Sequence, residues 1–287
     1  MNNKDVRVIV LGTAQDGGFP QVGCKGTCCN EAWEDVTLKR KVSSLAIIHD
    51  NDCWLIDITP DFRHQFNLIE TEIGRLPNIS GIFITHAHVG HYMGLLDLGL
   101  EVMNTHSIPV HVMPKMNEFL QKNAPFSQLI ELNNIRIELM NDGEKIQLNN
   151  HLSIKSFLVP HRNEFSETVG YNVNSENKSL VYVSDIDSWD EWKMDVNKLI
   201  RNNDILLLDG TFYDSTELEN RNINDVPHPF IMDSLVKFSL LEEVDRKKVY
   251  FTHLNHTNPA IHKSSLERLA IMNESCNVAE DGMVFTL

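Results

Sequence analysis

No apolar run in the chain approaches the roughly 20 residues that a membrane-crossing helix needs, and the first residues, MNNKDVRVIVLG, contain no stretch of about 7 to 15 apolar residues before a small-residue cleavage site. Neither a membrane span nor a secretory leader is expected, and the chain is read as cytoplasmic. Glycine and proline are sparse, 14 and 10 among 287 residues, which excludes a collagenous or low-complexity chain. Positive charge is also scarce: 25 Lys and Arg stand against 40 Asp and Glu, a net charge of −15. Such a balance repels phosphate backbones and anionic lipid, so general nucleic-acid binding and membrane partners are not expected. The five cysteines are an odd number, and three crowd together as Cys24, Cys28 and Cys29. In a reducing compartment such a cluster points to a metal site before a disulfide framework.

What remains is a globular α/β pattern, 42% hydrophobic, without repeats or a linker. Short β-branched runs predict strands at 6–11, 44–49, 54–58, 81–85, 109–113, 153–159, 179–183, 204–208, 248–252 and 283–286. Helical spacing predicts helices at 60–70, 91–103, 115–122, 189–200, 229–241 and 263–272. One domain over 1–287 is the economical expectation. The polar stretch 214–225 is expected to form a long mobile loop.

Histidines and carboxylates stand where strands stop. GIFIT runs into His86, His88 and His91; FLVP ends at His161; VYVS ends at Asp185; VYFT ends at His253. Imidazoles clustered at strand ends suit zinc, iron, copper or nickel, and loops at the carboxyl ends of strands bring distant residues into one cleft. A polar residue capping each strand is the alternative at any single position. Asp57 and Asp209, also at strand ends, are expected to orient ligand imidazoles. Lys25, Arg63 and Arg162 are candidates for substrate anions, and Glu164 for a base near His161; for all four, a solvated surface charge is the competing reading.

In this order the residues resemble the metallo-β-lactamase superfamily, and within it the pyrroloquinoline-quinone biosynthesis protein B group and the phosphonate-pathway cyclic phosphodiesterases. GGFPQ followed by cysteines, VPHRNEFSETVGY, DIDSW and HLNHTNP carry the likeness, which spans nearly the whole chain from VLGTAQDGGFPQ to EDGMVF. It implies a four-layer αββα sandwich. It also implies a first metal held by His86, His88 and His161, with Asp185 bridging to a second metal completed by His91 and His253. Two divalent metals, zinc, manganese or iron, are thus expected. Gly90 departs from the family pattern, standing where H-x-H-x-D-H has an aspartate. The expected consequences are a weaker second site, a pocket widened at Gly90, and tighter second-metal binding on Gly90→Asp.

The same resemblance implies a structural zinc on Cys24, Cys28, Cys29 and His256, the histidine lying three residues after His253. Relatives commonly read C-x-C-x-x-C where this chain has Gly26, so Cys28 and Cys29 must both serve, which is expected to need a bent backbone on a Gly-rich loop. His228, downstream of Asp209-Gly210-Thr211, matches the family's general acid; an exposed loop histidine between prolines is the alternative. Asp185 and His228 are the expected catalytic residues. The first functional reading is a metal-dependent hydrolase, a phosphodiesterase on a small cyclic or nucleotide-derived ester. An iron-dependent oxygenase, built on His91, Asp185 and His253, and a non-catalytic metal carrier are the alternatives. A small anionic molecule is the expected partner, and a homodimer stays open.

Overall fold

The structure is a computed structural model and describes residues 5–218 and 226–287. Fourteen strands are described: β1 Arg7–Gly12, β2 Ser44–His49, β3 Asp52–Ile56, β4 Asn78–Phe83, β5 Ile108–Val112, β6 Ile135–Leu139, β7 Lys145–Gln147, β8 Ser153–Leu158, β9 Val169–Asn174, β10 Ser179–Val183, β11 Ile205–Asp209, β12 Val249–Thr252, β13 Asn277–Val278 and β14 Val284–Thr286. The helices are α1 Thr27–Glu34, α2 Phe62–Ile73, α3 Val89–Tyr92, α4 Pro114–Lys122, α5 Phe126–Glu131, α6 Val196–Arg201, α7 Ile231–Phe238, α8 Glu243–Arg246 and α9 Leu266–Asn273. The strands form two seven-stranded sheets, ordered β14-β1-β2-β3-β4-β5-β6 and β13-β12-β11-β10-β9-β8-β7.

Strand alternation builds the layers. Val8 and Val10 of β1, with Leu45 and Ile47 of β2, point into a core shared with Tyr171, Leu180 and Tyr182 of the second sheet. Ile9, Leu11, Ala46 and Ile48 point the other way, under α2, α4 and α5. On the far side, Val181, Val183, Leu206 and Leu208 meet α6, α7 and α9. Apolar residues on both faces of a strand are what a sheet covered on both sides requires. The result is the αββα sandwich that the resemblance implied.

Several local expectations are corrected. Helix 91–103 is instead the single turn α3 followed by a 3-10 stretch, Met93–Leu98. Helix 189–200 shrinks to α6, because Asp195 caps it by accepting from the backbone N–H groups of Asn197 and Lys198. Trp189 and Trp192 lie before it as buried side chains of an otherwise largely exposed loop, their indole N–H groups donating to Ser234 Oγ and Leu158 O, each at 2.8 Å. Strands β6, β7, β9 and β13 and helices α1, α5 and α8 add to the predicted set. Of the expected loop 214–225, Ser215–Leu218 forms a 3-10 turn, and 219–225 lie outside the described residues.

The topology aims strand ends at one edge. β3 and β4 are parallel, as are β10, β11 and β12. β8 is antiparallel to β9 and β9 to β10, so β8 runs with β10. By the same reasoning through β2, β1 runs with β3. The carboxyl ends of β1, β3, β4, β8, β10, β11 and β12 therefore lie where loops can meet. Among the described residues, no helix is long and apolar enough to cross a membrane.

Candidate metal centre

His86, His88, His161 and Asp185 form one donor group, with ligand atoms within 4.8 Å of one another. The Nε2 of His161 lies 3.2 Å from His88 Nδ1 and 3.7 Å from Asp185 Oδ1, and His86 Nε2 lies 4.0 Å from Asp185 Oδ2. His91 and His253 approach the same carboxylate, at 3.4 and 3.5 Å from Asp185 Oδ2. Asp185 thus stands between two histidine sets. Four surrounding imidazoles hold its carboxyl well below the usual range despite a burial that alone would raise it.

The opposite nitrogens are tied down. His91 Nδ1–H donates to Asp57 Oδ2 at 2.7 Å, and Asp57 also receives Thr85 N–H and its hydroxyl at 2.8 and 2.9 Å. His161 donates to Asp187 Oδ1 at 2.7 Å. His86 and His253 are held at Nδ1 by the hydroxyls of Thr85 and Thr211, at 2.9 and 3.1 Å. Such partners fix the ring and leave the other nitrogen for a metal. Asp57 and His253 both adopt positive φ, 63° and 59°, a conformation unfavourable to non-glycine residues and held here by the surrounding contacts.

The donor set fits a cation. His86 Nε2, His91 Nε2, His253 Nε2, Asp185 Oδ2 and Asp16 Oδ1 are all buried without a hydrogen-bond partner. Unpartnered buried polar atoms are costly, and these converge on one place. Ligands at about 2.1 Å from a tetrahedral ion stand about 3.4 Å apart, close to the separations around Asp185.

Asp16 is the residue that motif reading missed. It follows β1 on the turn Gln15–Gly18, closed by Gly18 N–H donating to Gln15 O at 2.7 Å with Gly18 at φ 67°. Gln15 N–H donates to Leu254 O at 2.9 Å, which ties the turn beside His253. The Asp16 carboxylate reaches 3.3 Å from His91 Nε2 and 4.0 Å from His253 Nε2. The expectation that Gly90 widens the pocket is overturned, because a Cβ there would meet Asp16 Oδ1 at 2.2 Å and Asp16 Cα at 2.8 Å. The same contact overturns the expected gain from Gly90→Asp. The available signal was the coincidence of a missing aspartate in H-A-H-V-G-H and a carboxylate in the glycine-rich AQDGG turn.

His228 is buried, at 6% exposure, which removes the exposed-loop alternative. Its Nδ1–H donates to Asp209 Oδ2 at 2.7 Å, and its ring centre stands 5.4 Å from that of His161 and 6.2 Å from that of His253. Burial disfavours its charged form, but Asp209, with Asp185 and Asp187 behind it, outweighs this and holds the imidazole above its ordinary pKa. Glu164 Oε2 lies 3.8 Å from His88 Nε2 and is half exposed.

The second candidate site joins Cys24, Cys28, Cys29 and His256. Cys28 Sγ lies 3.6 Å from Cys24 Sγ and 4.0 Å from Cys29 Sγ, and His256 Nδ1 is 3.6 Å from both Cys28 and Cys29. Thiolates at about 2.3 Å from a tetrahedral zinc stand about 3.8 Å apart, so the spacing suits one. The expected bent loop is corrected: Cys28 and Cys29 begin the regular helix α1, and Cys24 alone sits on the loop before it.

This fold, with histidines and a shared aspartate at the strand ends, defines a metallo-β-lactamase-type protein. The chain belongs to the beta-lactamase superfamily, whose domain model matches residues 54–254. It is 27% identical to coenzyme PQQ synthesis protein B of Methylobacterium sp. (strain 4-46), over 98% of this chain and all of that protein. Zinc-bound PqqB from Methylobacterium extorquens superposes with a TM-score of 0.83 at 23% identity, over 98% of this chain and all of that one. A diphosphatase of the PhnP family superposes at 0.71, also 23% identical, over 99% of this chain and 97% of its own.

Proposed function

We propose that the chain is a metal-dependent hydrolase of a small anionic phosphate ester, a phosphodiesterase acting on a cyclic or nucleotide-derived diester. The observation that carries this reading is the division of Asp185 between two histidine sets beside the buried His228–Asp209 pair. Two bound divalent metals would bring a water's pKa from about 15.7 toward 7 and draw charge from a phosphoryl oxygen, which lets an acidic protein accept an anion. His86, His88 and His161 would hold one metal, His91 and His253 the other, with Asp185 between them.

The chain's own residues supply the rest. His161 is kept in one tautomer by Asp187 and His91 by Asp57, so neither ring reorients during turnover. His228, anchored at Nδ1 by Asp209, offers Nε2–H to the leaving alkoxide as general acid. Asp16 and His161 each line a cavity, of about 640 and 420 Å³, sizes suited to small ligands. Arg162, next to His161, has a buried Nε without a partner, which supports it as a contact for the substrate's charge.

Likeness to PQQ synthesis protein B over nearly the whole chain favours one second reading, an oxidation in quinone-cofactor formation. The oxygenase form of it drew on a second site left with two histidines and one carboxylate; the Asp16 carboxylate beside His91 weakens that premise. Bis(p-nitrophenyl) phosphate turnover with added manganese or zinc tests the first reading. Oxygen uptake with ferrous iron and no phosphodiester turnover would replace it with the second, and silence in both would favour a metal carrier.

A further inference from the structure

We infer that Asp16 replaces the aspartate missing at Gly90 as the carboxylate ligand of the second metal, so that a ligand has moved from the first turn of α3 to the turn after β1. Three observations meet here. Asp16 Oδ1 is buried and unpartnered, as are Nε2 of His91 and His253, and the three residues form a donor group of their own. The 3.3 Å approach to His91 Nε2 is a separation expected of two ligands on one small cation. Position 90 has no room for a side chain while Asp16 is present, its Cβ falling 2.2 Å from Asp16 Oδ1. The glycine is thus the counterpart of the relocated carboxylate rather than a lost ligand.

The backbone makes this relocation workable. Chain direction brings the end of β1 to the same edge as the end of β4, although about seventy positions separate Asp16 from His86 and His91. The Gln15–Gly18 turn is pinned to Leu254, one residue beyond the ligand His253. Two ligands on different loops are therefore held by one backbone hydrogen bond. With Asp16 and Asp185 both present, the second site holds two carboxylates and two imidazoles, a harder set than two imidazoles with one carboxylate, and therefore better matched to manganese or iron than an emptied site would be.

The inference rests on the two-metal reading, so its test reads metal and not activity. Chelator-stripped protein and its variants are reloaded with manganese or with zinc, passed through a desalting column and counted by elemental mass spectrometry, with circular dichroism as the folding control. Asp16→Asn is expected to retain one metal fewer per chain and to bind that metal at least tenfold more weakly. Gly90→Asp alone is expected to lose the same metal or to fold poorly. Asp16→Gly combined with Gly90→Asp should regain it, since the run of glycines lets the turn withdraw from the remaining 2.8 Å contact at Cα.

Asp16→Asn with an unchanged count and affinity would overturn the inference while leaving the two-metal reading intact. A double variant no better than Gly90→Asp would overturn the exchange of one carboxylate between the two positions. A folded wild-type chain that holds fewer than two metals besides the zinc at the cysteine cluster would instead bring down the two-metal reading itself.

Discussion

Asp209 holds His228 and, through one hydroxyl, His253: its Oδ2 accepts from His228 Nδ1–H at 2.7 Å, while Oδ1 accepts from Thr211, whose Oγ1 lies 3.1 Å from His253 Nδ1. A single carboxylate at the end of β11 therefore sets both the proposed acid and a metal ligand. Its influence on each is separable by experiment.

His228→Ala should cost about 10² to 10⁴ in kcat for a diester with an alkyl leaving group, the usual worth of a positioned acid. It should cost little for a p-nitrophenyl ester, whose leaving group departs without a proton. Asp209→Asn should reduce both, because it also loosens His253. Equal losses on the two esters for His228→Ala would remove the histidine from the acid role. The measurement is a leaving-group series on each variant.

The cysteine cluster predicts a thiol count. Cys53 and Cys276 are buried in apolar cores and their thiols are pushed up to about 12 by desolvation, so they stay unreactive near pH 8. Stripping metal with a chelator should free one reactive thiol per folded chain, Cys24, because burial and the neighbouring cysteines push Cys28 up to about 12 and burial raises Cys29, and it should lower Tm, since a structural zinc contributes its binding free energy to folding. Cys28→Ser should abolish the zinc-dependent part of that Tm. Five reactive thiols, or none released by chelation, would contradict the site.

Much of this centre was legible because its ligands follow apolar strands, and an apolar strand is what periodicity reads best. Thr85-His86, Val159-Pro160-His161, Ser184-Asp185 and Thr252-His253 each come straight after such a run. Asp16 lies on a turn without periodicity, and only the fold brings it to His91. Strand β9 was illegible for another reason. Its Val169, Tyr171 and Val173 alternate properly, but Gly170, Asn172 and Asn174 are poor strand formers. Gly170 is there because the Phe157 ring would lie 2.4 Å from any Cβ. The pair of cysteines starting α1 hid a helix, since sulfur chemistry masked an otherwise ordinary TCCNEAWE turn sequence.

Asp57 offers a test of ligand orientation free of direct metal contact. Its carboxylate fixes His91 at Nδ1 and also holds Thr85, the hydroxyl next to His86 Nδ1. Partners of this kind are typically worth about 10- to 100-fold in metal affinity. Asp57→Asn should weaken metal binding in that range, whereas Asp52→Asn at the far, amino end of β3, where Asp52 accepts from Ser80 Oγ and Asn78 Nδ2, should leave affinity unchanged. Isothermal titration of the stripped proteins with manganese compares them, and equal affinities for the two variants would deny Asp57 its orienting part.

Glu217, which belongs to neither metal-donor group, gives stability a pH dependence of its own. Burial raises its carboxyl to about 7, although it accepts from the Tyr213 backbone N–H and from Thr257 Oγ1 at 2.7 Å. The folded chain thus binds this proton more tightly than the unfolded chain, whose glutamate titrates near 4.5. The stability it contributes is complete below about 4.5 and is lost as pH rises through about 7, a swing on the order of 3 kcal/mol at most. Glu217→Gln keeps an acceptor for Tyr213 and a donor for the Thr257 hydroxyl without a charge to bury. Urea unfolding at pH 5.5 and pH 8 should therefore show the variant gaining on the wild type at pH 8 and approaching it at pH 5.5. A difference that grows toward acid would reverse the sign and place an ionised Glu217 in the folded state.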